Sequence, residues 1–352
     1  MTTGEIQQVR FLLIGAGNVG RRFLGLVESK GSILRERLGL DLVLVGVADS
    51  SGIAVNADGL PIPEIVELKN SGRSVADHPQ WGERAGSALE MVQTQDADLL
   101  LEASPANMDD GQPALGCIET ALAAGMHVVT ANKAPLVLAF PRLAELARAK
   151  GVRLGYDATV AGGLPAVNLG QRDLAAAKIH HLEGVLNLTT NYILTRMAQD
   201  GLSYDQALSD AQVAGHAETD PTLDVEGWDA ANKLVILAHS VLGLPATLDD
   251  VDVTGITGVS GETLRAAIAE GMRIKLVAEA EADGDGYRLS VRPKRLAADH
   301  PLAQLGPKQM GIVYHTDISG SISAAIVEET PVPTAFAMLR DVVEITLSAR
   351  RV

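Results

Sequence analysis

The chain has 352 residues, 47% of them apolar, and carries a formal net charge of −15. That length holds two domains with separate cores, while so acidic a balance excludes a nucleic-acid partner, which needs a basic footprint to displace counterions from phosphate. No apolar run approaches the roughly 18 residues of a membrane span, and the single cysteine, Cys117, excludes an internal disulfide framework.

"MTTGEIQQVRFLLIG" has neither a basic leader nor a long apolar core, so no signal peptide is read and a cytoplasmic location is expected. "VRFLLIGAG" is a short apolar strand ending in glycines, and "NVGRRFLGLVESKGSILRERL" follows with helical periodicity. "LDLVLVGVADS" and "DADLLLEAS" read as buried strands. "QPALGCIETALAAG" reads as a helix stopped at Gly125, with Cys117 as a small core residue. "MHVVTANK" is a fourth strand, "FPRLAELARAKG" a helix and "VRLGYDATV" a further strand. Alternating strands and helices predict a Rossmann-type, doubly wound parallel sheet.

After "AGGLP" (161–165) the pattern changes. "HHLEGVLNLTTNYILTRM" is strand and then helix, "SYDQALSDAQVAG" and "DAANKLVILAHSVLG" are helical, and "IKLVAEAEADGDGYRLSVRPKRL" is a hairpin turning at "DGDG". The tail "PTAFAMLRDVVEITLSA" is helical again. The expected organisation is a nucleotide-binding domain over 1–158, completed by a C-terminal helix over 331–352, and an α+β substrate and dimerisation domain over 159–330.

"GAGNVG" (Gly15, Ala16, Gly17, Asn18, Val19, Gly20) stands between a strand and a helix. In that context Gly15 permits the tight turn, Gly17 the approach of a pyrophosphate to the backbone and Gly20 close helix–strand packing. Asp49 closes the second strand, where a carboxylate binds the ribose 2′-hydroxyl of NAD and repels the 2′-phosphate of NADP. It lies 29 residues beyond Gly20, past the usual spacing, and Ser50 or Ser51 is placed to take a phosphate, so NADP and NAD both stay open. "ASP" (Ala103, Ser104, Pro105) and "TANK", ending in Lys133, fall at the carboxyl ends of the third and fourth strands, where ligands of such sheets bind.

"AETDPTLDVEGWDAANKLVILAHSVLG" aims five carboxylates (Glu218, Asp220, Asp224, Glu226, Asp229) at one amine, Lys233. Asp229 and Lys233 are four apart and share a helix face, with the acid in the favourable leading position. The run after Lys233 is so apolar that its amine is expected at a pocket wall, poised as a proton donor. Glu218 is left to accept a substrate ammonium. His180 and His181 are adjacent and cannot face one site from a strand; with no other suitably spaced partner, no zinc site is expected.

"GAGNVG", "TANK", "YDATVAGGLP", "NLTTNYIL" and "AETDPTLDVEGWDAANK", in this order, resemble the homoserine dehydrogenases. The resemblance implies NAD(P)H-dependent interconversion of L-aspartate 4-semialdehyde and L-homoserine, a step of threonine and methionine biosynthesis, in a homodimer. It also implies Glu218 at the substrate, Asp229, Lys233 and Lys133 in catalysis, and a Na⁺ or K⁺ on the backbone carbonyls of Asp157, Val160, Gly162 and Leu164; Asp224, in the same acidic run, is a further substrate-side candidate. The chain departs from the family in three places. Asp157 stands for a glutamate, Leu188 for the glycine of "NGTTNYIL", and "EETPVPTAFAMLRD" (328–341) for a glycine-rich segment. Neither an aspartate kinase region nor an ACT domain is expected. The alternatives are a dehydrogenase of another small amino acid or semialdehyde, and a non-catalytic dinucleotide-binding sensor.

Overall fold

The computed structural model describes residues 6–349; the outermost ends of the ranges 1–158 and 331–352 lie outside them. The chain divides into two units, one of residues 1–163 with 330–352 and one of 164–329.

In the first unit, β1 (Gln7–Ile14), α1 (Asn18–Leu38), β2 (Leu40–Asp49), β3 (Gly52–Val55), α2 (Ile62–Asn70), β4 (Gly82–Glu83), α3 (Ala88–Thr94), β5 (Leu99–Glu102), α4 (Ala114–Ala123), β6 (His127–Thr130), α5 (Lys133–Lys150) and β7 (Leu154–Gly155) follow in order. Their sheet runs β4-β3-β2-β1-β5-β6-β7. β1 pairs in parallel with both β2 and β5, and the parallel run continues through β6 to β7. The chain thus leaves β1 toward one edge and later returns to its other side, which opens a crevice beyond the carboxyl end of β1.

Three features differ from the expected pattern. An antiparallel edge, β3 and β4, closes the sheet beside β2. The predicted strand "VRLGYDATV" pairs only over Leu154–Gly155, because Asp157–Thr159 turns into a 3₁₀ helix and the Asp157 amide donates to Asp341 Oδ2 at 2.9 Å instead of a strand partner. Helix α5 begins earlier than its sequence pattern, at Lys133, and kinks near Ala139 ahead of Pro141. The C-terminal helix (Val332–Ala349) buries Ala335, Met338, Leu339, Val342 and Ile345 in the same core as Phe11, Leu13 and Phe23. Cys117 is fully buried in α4, and burial pushes its thiol up to about 11, as suits an inert core residue.

The second unit holds α6 (Ala166–Asn168), β8 (Ile179–Val185), α7 (Leu188–Asp200), α8 (Tyr204–Val213), α9 (Thr222–Val225), α10 (Trp228–Ser240), β9 (Val251–Val253), α11 (Gly261–Ala269), β10 (Met272–Asp283), β11 (Gly286–Ala297), β12 (Gln309–Thr316) and β13 (Gly320–Val327). Its sheet runs β13-β12-β8-β10-β11-β9 and is antiparallel except where β9 joins β11. The β10–β11 hairpin turns at Asp283 and Gly286, where "DGDG" predicts it. Helix α10 is buried from Leu234 to Ala238, as its apolar run requires. Among the described residues no helix is long and apolar enough to cross a membrane.

Candidate active site

The nucleotide loop of the first unit is built around glycines. Gly15 has φ +88°, and a Cβ there would lie 2.5 Å from the Ala103 backbone. A Cβ on Gly20 would lie 1.9 Å from the Gly15 carbonyl oxygen, so helix and strand close directly on one another. Gly17, at the N-cap of α1, is the opposite case: a Cβ there would meet nothing within 4 Å. Gly17 therefore contributes open space before a 21-residue helix whose first amides need acceptors, the arrangement that receives a phosphate. The Asn18 side chain holds Arg21 at 2.9 Å, and Val19 is partly buried against the core.

Asp49 closes β2, but its oxygens are engaged within the unit. It accepts from Lys69 Nζ at 2.6 Å, Ser74 Oγ at 2.8 Å and the amides of Ser51 and Val75 at 3.0 Å each. Burial opposes its charge, yet these hydrogen bonds outweigh it and hold the carboxyl below the usual carboxylate range.

At the next two strand ends, a residue that sequence reasoning passed over organises the others. Glu102 is fully buried; it accepts from the Ser104 amide at 2.8 Å and the Thr130 hydroxyl at 3.2 Å, with the Ser104 hydroxyl also on it. Burial raises its carboxyl to about 7 despite those donors. Asn132 caps α5 by accepting from the Ala134 amide at 3.0 Å, and its amide nitrogen lies 3.4 Å from Ser104 Oγ and from the Pro105 carbonyl. "ASP" and "TANK" are thereby tied together, with Lys133 as the first residue of α5. The only sequence signal was an acid closing the apolar run "LLLE".

In the second unit the carboxylate–lysine pairing is direct. Lys233 Nζ donates to Asp229 Oδ2 at 2.6 Å and to the Leu186 carbonyl at 2.7 Å. Their side chains are 14% and 9% exposed, so the pair is not an ordinary surface bridge. Asn187, which the sequence reading did not single out, fixes the geometry. Its Oδ1 caps α7 by accepting from the Thr190 amide at 2.9 Å, while its amide nitrogen donates to Asp229 at 2.8 Å and to Asp224 at 2.7 Å. Thr189 Oγ1 also lies 2.7 Å from Asp224. The Asn-x-x-Thr spacing of "NLTT" is a helix-start signal, but nothing in it shows that the capping amide holds two acids. Leu188, replacing a glycine, takes the first position of α7 without disturbing that cap. Glu218 is exposed on the turn after α8, where its carbonyl accepts from Gln212 at 3.1 Å. Asp220 accepts from the Thr222 amide at 3.1 Å across Pro221, so it serves the turn that leads into α9.

Asp157, 1% exposed, is paired with Arg340 of the C-terminal helix, whose Nη1 also lies 3.4 Å from the Gly163 carbonyl. Arg340 stands in the segment that replaces the family's glycine-rich stretch.

Two family models match the chain: one described as the NAD binding domain of homoserine dehydrogenase over residues 15–157, and one described as homoserine dehydrogenase over 165–343. The chain is 36% identical over 340 residues to a homoserine dehydrogenase of Methanocaldococcus jannaschii, covering 97% of this chain and 99% of that protein. It is 35% identical to an NAD(+)-dependent homoserine dehydrogenase of Pseudomonas canavaninivorans, with 98% of each covered. Among solved structures, a putative homoserine dehydrogenase of Archaeoglobus fulgidus superposes with a TM-score of 0.86 at 37% identity, over 96% of this chain and 99% of that one. A hyperthermophilic archaeal homoserine dehydrogenase in complex with NADPH superposes with a TM-score of 0.84 at 26% identity, covering 97% and 98%.

Proposed function

The chain belongs to the homoserine dehydrogenase family, and from that premise we propose how its own residues divide the work. It is an NAD(P)-dependent oxidoreductase acting on a CH–OH group, with an amino-acid substrate. When bound, the nicotinamide cofactor supplies or accepts the hydride at the substrate's reacting carbon.

Gly15, Gly17, Asn18, Val19 and Gly20 receive the pyrophosphate, with Ser104, Pro105 and Lys133 on the adjoining strand ends. Asp49 is the residue at the ribose. Because its charge is already paired with Lys69 at 2.6 Å, its repulsion of a 2′-phosphate is weakened, and both NAD and NADP suit the loop.

In the reductive direction negative charge builds on the carbonyl oxygen, and a cation able to give a proton must meet it. Lys233 is that donor, and Lys133 is assigned to catalysis from the cofactor-binding unit. Asp229 keeps Lys233 aimed, Glu218 receives the substrate's α-ammonium, and Asp224 supports the acidic cluster through Asn187. The observation that carries this reading is the two-point hold on Lys233, by Asp229 at 2.6 Å and the Leu186 carbonyl at 2.7 Å. It fixes the ammonium and leaves its third N–H for the substrate.

Of the backbone carbonyls expected to hold a monovalent ion, that of Asp157 already accepts from the Val160 amide at 3.2 Å and that of Leu164 from the Ala166 amide at 2.7 Å, and no step is routed through an ion. A homodimer formed by the second unit and a cytoplasmic location complete the proposal.

The test is turnover of L-homoserine with NAD⁺ and NADP⁺ in parallel, other small amino acids serving as controls. Lys233→Ala is expected to lower kcat at least about a hundredfold with cofactor affinity preserved. Glu218→Gln is expected chiefly to raise the homoserine KM. Nucleotide binding without turnover of any substrate would point to a sensor, and normal turnover in Lys233→Ala would remove Lys233 from the mechanism.

A further inference from the structure

Four of the chain's eight histidines, His180, His181, His300 and His315, lie in the second unit beside two buried glutamates. Strand alternation puts His181 and Glu183 of β8 on one face. Antiparallel pairing sets His315 of β12 opposite His181, and Glu279 of β10 opposite Glu183. The His181 and His315 rings stack with centroids 4.9 Å apart. One ring nitrogen from each histidine and one Glu183 oxygen all lie within 4.8 Å of one another. His181 Nε2 is 3.3 Å and His315 Nε2 3.9 Å from Glu183 Oε1. Donors around a tetrahedral zinc-class ion, at bonds near 2.0–2.1 Å, stand about 3.3 Å apart, so the pairs with Glu183 need to close by less than about an ångström and the widest pair by no more than about 1.5 Å.

The hydrogen bonding around them is incomplete in the way such an ion would repair. His315 Nδ1 lies 2.8 Å from Ser321 Oγ, where a proton on Nδ1 is held by an outer oxygen. Its Nε2 is buried without a hydrogen-bond partner; so is Glu183 Oε2, the oxygen other than the one measured to His181 and His315, on a residue only 4% exposed. His300 Nε2 comes within 3.1 Å of that Oε2 without the alignment of a hydrogen bond. Its Nδ1 accepts from the Leu302 amide at 3.2 Å, which leaves the ring proton on Nε2 facing the glutamate. Lys294 Nζ stands 2.6 Å from Glu279 and 3.5 Å from Glu183, and Arg292 approaches Glu279 at 3.8 Å. Glu279 is thereby the better-neutralised acid, and Glu183 is the one with charge to spare. His181 Nε2 now contacts Glu279 at 2.7 Å; on binding an ion it exchanges that hydrogen bond for the metal, while Glu279 keeps Lys294.

We propose that His181, Glu183 and His315 bind one first-row divalent cation of the zinc class per chain, clipping β8 to β12. Two imidazoles and a carboxylate are a donor set such ions favour. Spacing along the sequence could not show it, because His181 meets His315 only through strand pairing.

The test uses the full-length, tag-free chain, stripped with a chelator and titrated with Co²⁺. The expected result is the visible absorption of four-coordinate Co²⁺, saturating at one ion per chain and displaced by Zn²⁺. His315→Gln, His181→Gln and Glu183→Gln should each weaken Co²⁺ binding at least about tenfold. Zn²⁺ should raise the Tm of the wild type but not of these variants. His180→Gln, beside the cluster on the strand's other face, should bind as wild type does. Retained metal-free homoserine turnover identifies which variants have folded, and His315→Gln, at the least buried ligand, with His315→Asn behind it, keeps one arm readable. No Co²⁺ spectrum in the wild type, or an unchanged spectrum in the folded ligand variants, overturns the proposal.

Discussion

Asn187→Asp isolates the amide that serves both a helix cap and two acids. Aspartate retains the capping oxygen, and Asn and Asp are similar N-caps, so α7 keeps its start. Both N–H donors are lost, to Asp224 at 2.7 Å and to Asp229 at 2.8 Å, and a third carboxylate takes their place on a residue only 5% exposed. Hydrogen bonds to charged groups are worth about 1.5–3 kcal/mol each, so the loss is about 3–6 kcal/mol before any repulsion. Of a typical folding stability of about 5–15 kcal/mol, that is a large share. Urea unfolding in a Trp81→Phe background reads the second unit alone, since Trp228 starts α10 beside Asp229. The new carboxyl, facing two others, has a folded pKa raised above its unfolded value. Its penalty is therefore full above the folded pKa and shrinks as pH falls through it toward about 4. Asn187→Ala should cost a further ~1 kcal/mol for the cap but lack this pH dependence. An Asn187→Asp variant within about 1 kcal/mol of wild type at pH 8, or a penalty that grows on acidification, would refute the assigned contacts.

Two further predictions concern the first unit. Gly17→Ala should leave its Tm within a degree or two yet weaken nucleotide binding, because the added methyl meets only the space a phosphate would use; Gly20→Ala, 1.9 Å from a carbonyl oxygen, should destabilise the fold itself. Equal effects in thermal melts and nucleotide titrations would contradict this division. Glu102, raised from 4.5 to about 7 by burial, binds its proton more tightly folded than unfolded, so its contribution to stability is lost as pH rises from about 4.5 through 7. Glu102→Gln should remove that slope, worth about 3 kcal/mol across the window. Urea midpoints at pH 5 and pH 8 that shift equally in variant and wild type would refute it.

The parallel sheet, the order of helices, the hairpin at "DGDG" and the glycine loop were legible because each is encoded locally. Apolar period separates strand from helix, and a glycine reports a backbone conformation at its own position. The Asp229–Lys233 contact was legible for the same reason, since four residues make one helical turn and bring the two side chains onto one face. Where local pattern misled, a distant residue had intervened. β7 ends early because the Asp157 amide bonds Asp341.

What the sequence determined alone was thus the alphabet of elements and the short-range pairs within them. Tertiary structure decided the partners: Asn187 with Asp224 and Asp229, Glu102 with Thr130, Arg340 with Asp157, and His181 with His315. The physical reason is that a buried polar group must find a partner wherever the packed core presents one. Strand register and helix docking set that place, and neither leaves a period in the sequence.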